Sequence, residues 1–157
     1  MHFLKQMISM PTKTLLVAVL AVYANTCAAG LGDSPAKFSK HVAVAKTTAI
    51  AAGPATYTDI EKTLDSGTTV HEYLDVTGTV FAVSWSGPVV PNLKELLGSH
   101  FDTLVAHVNN TPRARRSQLV VTRDDVVIVS GGHMGAFEGK AWIPAKLPAG
   151  FKPADIK

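Results

Sequence analysis

The sequence predicts an α+β fold, in which a curved antiparallel sheet of five or six strands is covered on one face by one long amphipathic helix. Between residues 56 and 86, three segments alternate apolar with polar residues and are separated by short turns, the pattern of a β-meander. From residue 93 onward, leucines recur at helical spacing. Strands joined by such short turns run antiparallel. The helix that follows needs a surface for its leucines, and the sheet provides one.

The meander strands are predicted over residues 56–64, 68–74 and 79–86. The turns between them, 65–67 and 75–78, each end in a glycine, which adopts positive φ without steric cost. The residues of these two turns therefore support the prediction that the three strands follow one another as a meander.

The helix is predicted over residues 93–108. Pro88 and Pro91 end the preceding strand because proline has no N–H to donate to a ladder. Asn92 occupies the N-cap position, and Glu95 follows three residues later, as in a capping box. The apolar stripe of this helix consists of Leu93, Leu97, Phe101, Leu104 and Val108.

Three further strands are predicted over residues 119–122, 126–130 and 134–142, which makes six in total. The run 126–130 is apolar at every position before its last, which favours a strand buried on both faces. The Gly131-Gly132 pair favours a β-bulge or a tight hairpin over a phosphate-binding loop, since no helix opens after it.

Residues 1–29 are predicted to be a cleavable signal peptide. Lys5 and Lys13 form a basic region, an apolar run covers residues 15–24, and small residues follow. The run is shorter than the roughly 20 apolar residues that span a membrane. We expect cleavage after Ala28 or Ala29, with Met1 and Met10 both open as the true start.

Cys27 is the only cysteine in the chain and lies within this leader. Its removal would leave a mature protein without a disulfide, and a lipoprotein signal at this cysteine is the alternative. The 15 Lys+Arg residues include the two leader lysines, and the leader has no acidic residue, so 13 basic residues face 12 acidic ones after cleavage. A net charge of +1 gives no argument for a nucleic-acid or membrane-surface partner, so no nucleic-acid partner is expected.

Residues 30–55 are rich in Ala, Thr and Lys and contain few large apolar groups. Little burial is available to offset the entropy of ordering them, so a flexible lead-in is predicted, with a short helix possible around 37–46. Residues 56–157 then form the single α+β domain.

No metal or cofactor site is expected. The segment from His71 to Asp75 is one residue short of an HExxH motif and lies on a predicted strand, where four residues span roughly 13 Å. His100 and His107 are seven residues apart on the helix, roughly 10.5 Å, which is too far for one zinc ion.

Catalysis is not expected either, since no Gly-x-Ser-x-Gly elbow is present and the one cysteine leaves with the leader. The candidate binding residues are His133 and the basic cluster of Arg113, Arg115 and Arg116. Such a cluster is usually a solvated loop, and a contact for an acidic partner, an envelope polysaccharide or an anionic lipid is the functional alternative.

Six short motifs are found in order between residues 30 and 144. They are Gly30-Leu31-Gly32-Asp33, Ser66-Gly67-Thr68-Thr69-Val70, Val80-Phe81-Ala82-Val83-Ser84-Trp85, Pro91-Asn92-Leu93, Ser130-Gly131-Gly132-His133-Met134 and Ala141-Trp142-Ile143-Pro144. With these motifs the chain resembles a family of exported proteobacterial proteins catalogued as domain of unknown function 2844. The resemblance implies export and a single domain, and it transfers no catalytic residue because the family's name carries no activity.

We therefore expect an exported, non-catalytic module, periplasmic or secreted, that binds or assists an envelope protein or polysaccharide. Two alternatives are kept. One is a cell-envelope hydrolase with His133 or His71 as its base, and the other is a small-ligand carrier that uses the concave face of the sheet.

Overall fold

Seven strands form one open antiparallel sheet in the computed structural model, which describes residues 29–38, 42–52, 55–112 and 118–157. The strands are β1 (Val42–Ala52), β2 (Ala55–Leu64), β3 (Thr69–Leu74), β4 (Val80–Gly87), β5 (Leu119–Thr122), β6 (Val127–His133) and β7 (Ala136–Trp142). Their spatial order is β1-β2-β3-β4-β7-β6-β5. The α+β class and the antiparallel sheet are thus confirmed, but the predicted number of five or six strands is wrong.

The chain first builds the sheet as a meander from β1 to β4. A helix then carries it to the far edge, where β5 begins, and β6 and β7 fill the space back to β4. The helix consists of α1 (Leu93–Leu97), a 3₁₀ turn (Gly98–His100) and α2 (Phe101–Asn110). This topology makes β4 the middle strand, which explains why six of its eight residues are buried.

The additional strand is β1, which lies within the predicted lead-in of residues 30–55. It pairs with β2 along its length, from Val42 opposite Leu64 to Ala52 opposite Ala55. Val42–Lys46 is therefore strand and not helix. A segment of small residues buries little apolar surface, but its backbone N–H and C=O groups can still form hydrogen bonds with a neighbouring strand. Amino-acid composition does not indicate these hydrogen bonds.

The N-terminal segment 29–38, also assigned to the lead-in, contributes to the hydrophobic core. Leu31 is fully buried, and Ala36 and Phe38 are buried beside it. The Leu31 N–H donates to the Leu96 carbonyl at 2.9 Å, and the Gly32 N–H donates to the Val80 carbonyl at 2.9 Å. The segment therefore bridges the helix and the start of β4.

The sheet is covered on both faces. We call the face under the helix the helix face. Its core joins sheet residues such as Val70, Val83 and Ile128 to Leu96, Leu97 and Leu104 of the helix. The remaining stripe residues Leu93, Phe101 and Val108 pack against this core while partly exposed. The predicted contact of the helix stripe with the sheet is thus confirmed.

We call the opposite side the tail face, because the C-terminal residues cover it. Phe151 and Ile156 pack there on Tyr57, Tyr73 and Phe81. The Phe81 and Phe151 rings lie 4.9 Å apart at 82°, an edge-to-face arrangement that aromatic pairs prefer.

Gly98 interrupts the helix, with φ at +55°. A Cβ added there would lie 3.0 Å from the Ala29 carbonyl oxygen. The sequence predicts a kink or close packing against the sheet at this glycine. In the structure Gly98 packs closely against the backbone of the N-terminal segment and not against the sheet. Asn92 is at the N-cap position as predicted, but its side chain makes no capping hydrogen bond.

A buried ion pair joins β2, β3 and the N-terminal segment. Lys62 Nζ contacts Glu72 Oε2 and donates to the Ala36 carbonyl at 2.6 Å, while the Ala36 N–H donates to Glu72 Oε1 at 2.7 Å. Glu72 is fully buried. Burial raises the pKa of its carboxyl above the ordinary value, and the hydrogen bond and charge of Lys62 oppose that shift.

We predict that Lys62→Met lowers the free energy of unfolding by about 3 kcal/mol, because it leaves the Glu72 carboxylate buried without its counter-ion. Urea unfolding followed by circular dichroism measures the change. Lys94→Met, at an exposed helix position, is the matched control and should change stability by less than about 0.5 kcal/mol. Equal effects of the two substitutions would show that the ion pair does not hold the N-terminal segment.

Candidate functional site

In the described part of the chain, two depressions of ligand size lie over β6 and β7, one beside the tail and one beside the helix, and a third of about 400 Å³ is lined by Tyr57 and Phe151. The first, which we call the polar cleft, has a volume of about 340 Å³ and lies over β4, β7 and β6 next to the C-terminal residues. Its polar lining comes from Ser86, Gln118, Ser130, Glu138, Lys140 and Lys157. Lys140 Nζ donates to the Pro153 carbonyl at 3.0 Å, so this ammonium group also holds the tail against the sheet. The volume is at the lower end of the range for small-molecule sites.

The second depression, which we call the apolar groove, has a volume of about 290 Å³. Its walls are Val90, Leu93, Leu104, Val108, Leu119 and Phe137, and its floor is formed by Ser130, Gly131 and Gly132. The helix stripe passes over Gly131 and Gly132 here, which have no side chains to meet it. The outer part of the stripe is therefore left partly uncovered.

Exposed valines adjoin these walls in the sequence. Val90 in the wall is 39% exposed, and its neighbour Val89 is 50% exposed. Val120 is 49% exposed, but it follows Leu119 on β5 and therefore points to the opposite face of the sheet. Single exposed apolar residues are common, but an apolar groove with exposed valines beside it is typical of a binding surface.

Gly132 is required by the close approach of β6 to β7. Its φ is +108°, and an added Cβ would collide with the Ala136 carbonyl oxygen. The prediction that the glycine pair serves a position needing positive φ is thus confirmed at Gly132. The same geometry excludes a side chain from the part of the groove floor that Gly132 forms.

His133, a predicted binding residue, lies at the end of β6 just before the turn to β7. It is exposed, and its Nδ1 atom lies 3.2 Å from the Met134 carbonyl oxygen. It lines neither the polar cleft nor the apolar groove. The other predicted binding residues, Arg113, Arg115 and Arg116, lie outside the described residues, so their role stays a prediction.

His71 has a partner that sequence analysis did not identify. Its Nδ1 atom lies 2.9 Å from Oδ1 of Asp59, which is 6% exposed, and its ring stacks on Tyr73 with centroids 6.1 Å apart. The register places Glu61 directly opposite His71. Asp59 reaches the imidazole as a diagonal neighbour on the tail face, and no spacing along the chain indicates that contact.

No nucleophile contacts this histidine in the described part of the chain. Ser84 lies opposite His71 in the register but is 2% exposed, and its Oγ makes no hydrogen bond there. His133 is three strand spacings and four residues away, which is roughly 19 Å. The structure therefore orients one histidine and does not bring the two candidate bases together.

Tyr57 and Tyr73 complete this part of the tail face. Burial raises the pKa of both phenols above the ordinary value, and the nearby Asp59 charge adds to the shift. The Tyr73 hydroxyl accepts a hydrogen bond from the Lys157 N–H at 3.0 Å. These phenols therefore stay neutral near pH 7, and Tyr73 serves to hold the tail.

The near-match to HExxH is not a metal site. His71 shares the tail face with Tyr73, while Glu72 points into the helix face and binds Lys62. Among the described residues, no group of three or more His, Cys, Asp or Glu side chains could hold a metal ion. In the same residues, no helix has the length and apolar character needed to cross a membrane.

Comparison with known proteins adds a family but no activity. A family model described as "Protein of unknown function (DUF2844)" matches residues 27–156, which is most of the chain. No curated protein matches the chain. No solved structure matches it either. The resemblance found in the motifs is thus confirmed, and the chain belongs to the DUF2844 family.

Proposed function

We propose that the protein is an exported binding or accessory module of the bacterial envelope, which contacts its partner through the apolar groove and catalyses no reaction. The observation that supports this is the groove itself. Its walls are apolar, its floor is Ser130 and two glycines, and Val90 in its wall is exposed together with its neighbour Val89. A surface of this kind gains stability when a partner covers it, at about 25 cal/mol for each Å² of apolar area removed from water.

The chemistry of the groove indicates the kind of partner. Leu93, Val108 and Phe137 offer apolar contacts, and only Ser130 offers a polar side chain. Polysaccharides need many hydrogen bonds, because their hydroxyl groups lose water on binding. Of the two expected partners, an apolar segment of an envelope protein therefore suits this groove better than a polysaccharide does.

Export is the second part of the proposal, and it rests on the leader of residues 1–29. The described structure is compatible with cleavage at the expected place, since Leu31 and the residues after it belong to the core. Cleavage beyond Leu31 would remove a fully buried side chain and the hydrogen bond from its N–H to Leu96.

We predict that protein purified from the periplasmic fraction or the culture medium of an expressing bacterium begins at Ala29 or Gly30. Amino-terminal sequencing and intact mass measure this, and a lipid on Cys27 would appear as added mass. Recovery of the chain only from the cytoplasm, with the leader intact, would refute export.

The groove is tested by Val90→Asp. Because an ionised carboxylate resists burial against apolar walls, we expect this variant to retain about tenfold less of the envelope protein that the wild type retains from a periplasmic extract. Quantitative mass spectrometry of the retained proteins measures the ratio.

Val76→Asp is the matched control. Val76 is 81% exposed and lies in the turn before β4, whereas Val90 follows the end of that strand. Equal retention by both variants would exclude the groove as the contact surface. A wild-type protein that retains no specific partner would contradict the proposed function.

A second candidate, a cell-envelope hydrolase with His71 as its base, has the Asp59 contact in its favour. A carboxylate on Nδ1 orients an imidazole so that Nε2 can accept a proton.

If this hydrolase is the function, His71→Ala should abolish turnover of purified peptidoglycan or of a p-nitrophenyl ester, with circular dichroism confirming the fold. His133→Ala, at the exposed hairpin end, is the control and should retain turnover. Activity that survives both substitutions would exclude both predicted bases.

A further inference from the structure

The two edges of the sheet differ in a way that bears on self-association. β5 forms one edge and has only four residues, a length that limits pairing with other chains. β1 forms the other edge and has eleven residues, Val42–Ala52, with one charged residue, Lys46, and no proline. Proteins usually protect a long edge strand with charges, prolines or a covering element, so β1 is an edge available for pairing.

The outer side of β1 is open in the described part of the chain. Within those residues β1 pairs with β2 alone. The four central residues, Lys46–Ala49, are all exposed. A row of backbone N–H and C=O groups on this side is thus left for another strand to satisfy.

We propose that β1 pairs antiparallel with β1 of a second copy of this chain, about a twofold axis at Thr47, so that two seven-stranded sheets form one continuous sheet. This inference concerns the opposite edge from the apolar groove and does not depend on the proposed function.

Symmetry and strand length select the register. Directly opposite residues of antiparallel strands have side chains on the same face, and a twofold axis perpendicular to the sheet keeps every residue on its own face. Opposite residues must therefore be an even number of positions apart, which places the axis at one residue and not between two. An axis at Thr47 pairs all eleven residues, since 42 and 52 are equally distant from 47. An axis at Lys46 or Thr48 pairs only nine, residues 42–50 or 44–52.

Charge selects the same register. An axis at Lys46 would place two lysines directly opposite each other, which destabilises a cross-strand pair. An axis at Thr47 places Lys46 opposite Thr48 of the partner subunit and Thr47 opposite Thr47 of the partner subunit. Threonine pairs are favourable across strands, and the register within each chain already places Lys46 opposite Glu61.

The residue pattern of β1 also suits self-pairing. In the sequence, Ala45, Ala49 and Ala51 alternate with larger residues at 44, 46, 48 and 50. The register about Thr47 places Ala45 opposite Ala49 of the partner subunit, and Val44 opposite Ile50 of the partner subunit.

The first experiment measures mass in solution. Sedimentation equilibrium of the purified exported protein should give twice the mass of one chain, with dissociation on dilution. Thr47→Lys should weaken the dimer by about tenfold or more, because it places like charges opposite each other at the axis. Thr122→Lys, an exposed position on the other edge strand, is the matched control and should leave the dimer unchanged.

The second experiment determines the register between the two β1 strands by disulfide crosslinking. Facing Cα atoms of an antiparallel pair lie about 4.5–5.5 Å apart, within reach of a disulfide, so Thr47→Cys should form a covalent dimer on oxidation. Two Ala45→Cys chains would hold their sulfurs four residues apart along the strands, roughly 13 Å, and should not crosslink. If the leader remains, both variants contain Cys27. A difference between them in the yield of covalent dimer is therefore due to the engineered cysteine.

A wild-type protein that stays monomeric at its highest soluble concentration would overturn the proposal. Equal crosslinking of the Thr47→Cys and Ala45→Cys variants would overturn it as well, since contact without register is nonspecific. A dimer that Thr47→Lys and Thr122→Lys leave equally intact would place the interface elsewhere and refute the pairing of β1.

Discussion

The contact on which much of this structure depends is the buried ion pair of Lys62 and Glu72. Taking two charges out of water is costly, and the cost is offset only when hydrogen bonds satisfy both groups. Here the peptide groups of Ala36 provide those bonds, donating to Glu72 and accepting from Lys62. The N-terminal segment is therefore held in the core by charge as well as by Leu31, and the helix that rests on this segment is positioned with it.

Coverage of both sheet faces explains where the surface remains open. An edge-to-face aromatic contact and the hydrogen bond from the Lys157 N–H to the Tyr73 hydroxyl hold the tail on one face, where a polar cleft remains beside it. On the other face part of the helix stripe lies over Gly131 and Gly132, which have no side chains. Gly132 cannot carry a side chain, because β7 lies too close. The apolar groove is thus a consequence of the backbone geometry of one hairpin.

Self-association through β1 and partner binding at the groove would use opposite ends of the sheet. β1 is one edge of the sheet, and Leu119, which lines the groove, begins the other edge strand. A twofold axis at Thr47 would therefore place the two grooves at the far ends of a continuous sheet. Such a dimer would present two separate binding surfaces, and joining two sites in one assembly strengthens binding to any partner that can reach both.

Local periodicity by itself determined the helix of residues 93–110, the strands from β2 to β7 and the faces of the meander, because these depend on side chains a few positions apart. The glycine pair also predicted a position of positive φ, which the structure has at Gly132. The sequence did not predict β1, because its Ala and Thr residues show no alternation of apolar with polar positions. Backbone hydrogen bonds to β2 make this segment a strand. The pairing of Asp59 with His71 and of Lys62 with Glu72 depends on the register between strands. Only the tertiary structure decides that register, because it is set by packing among distant parts of the chain.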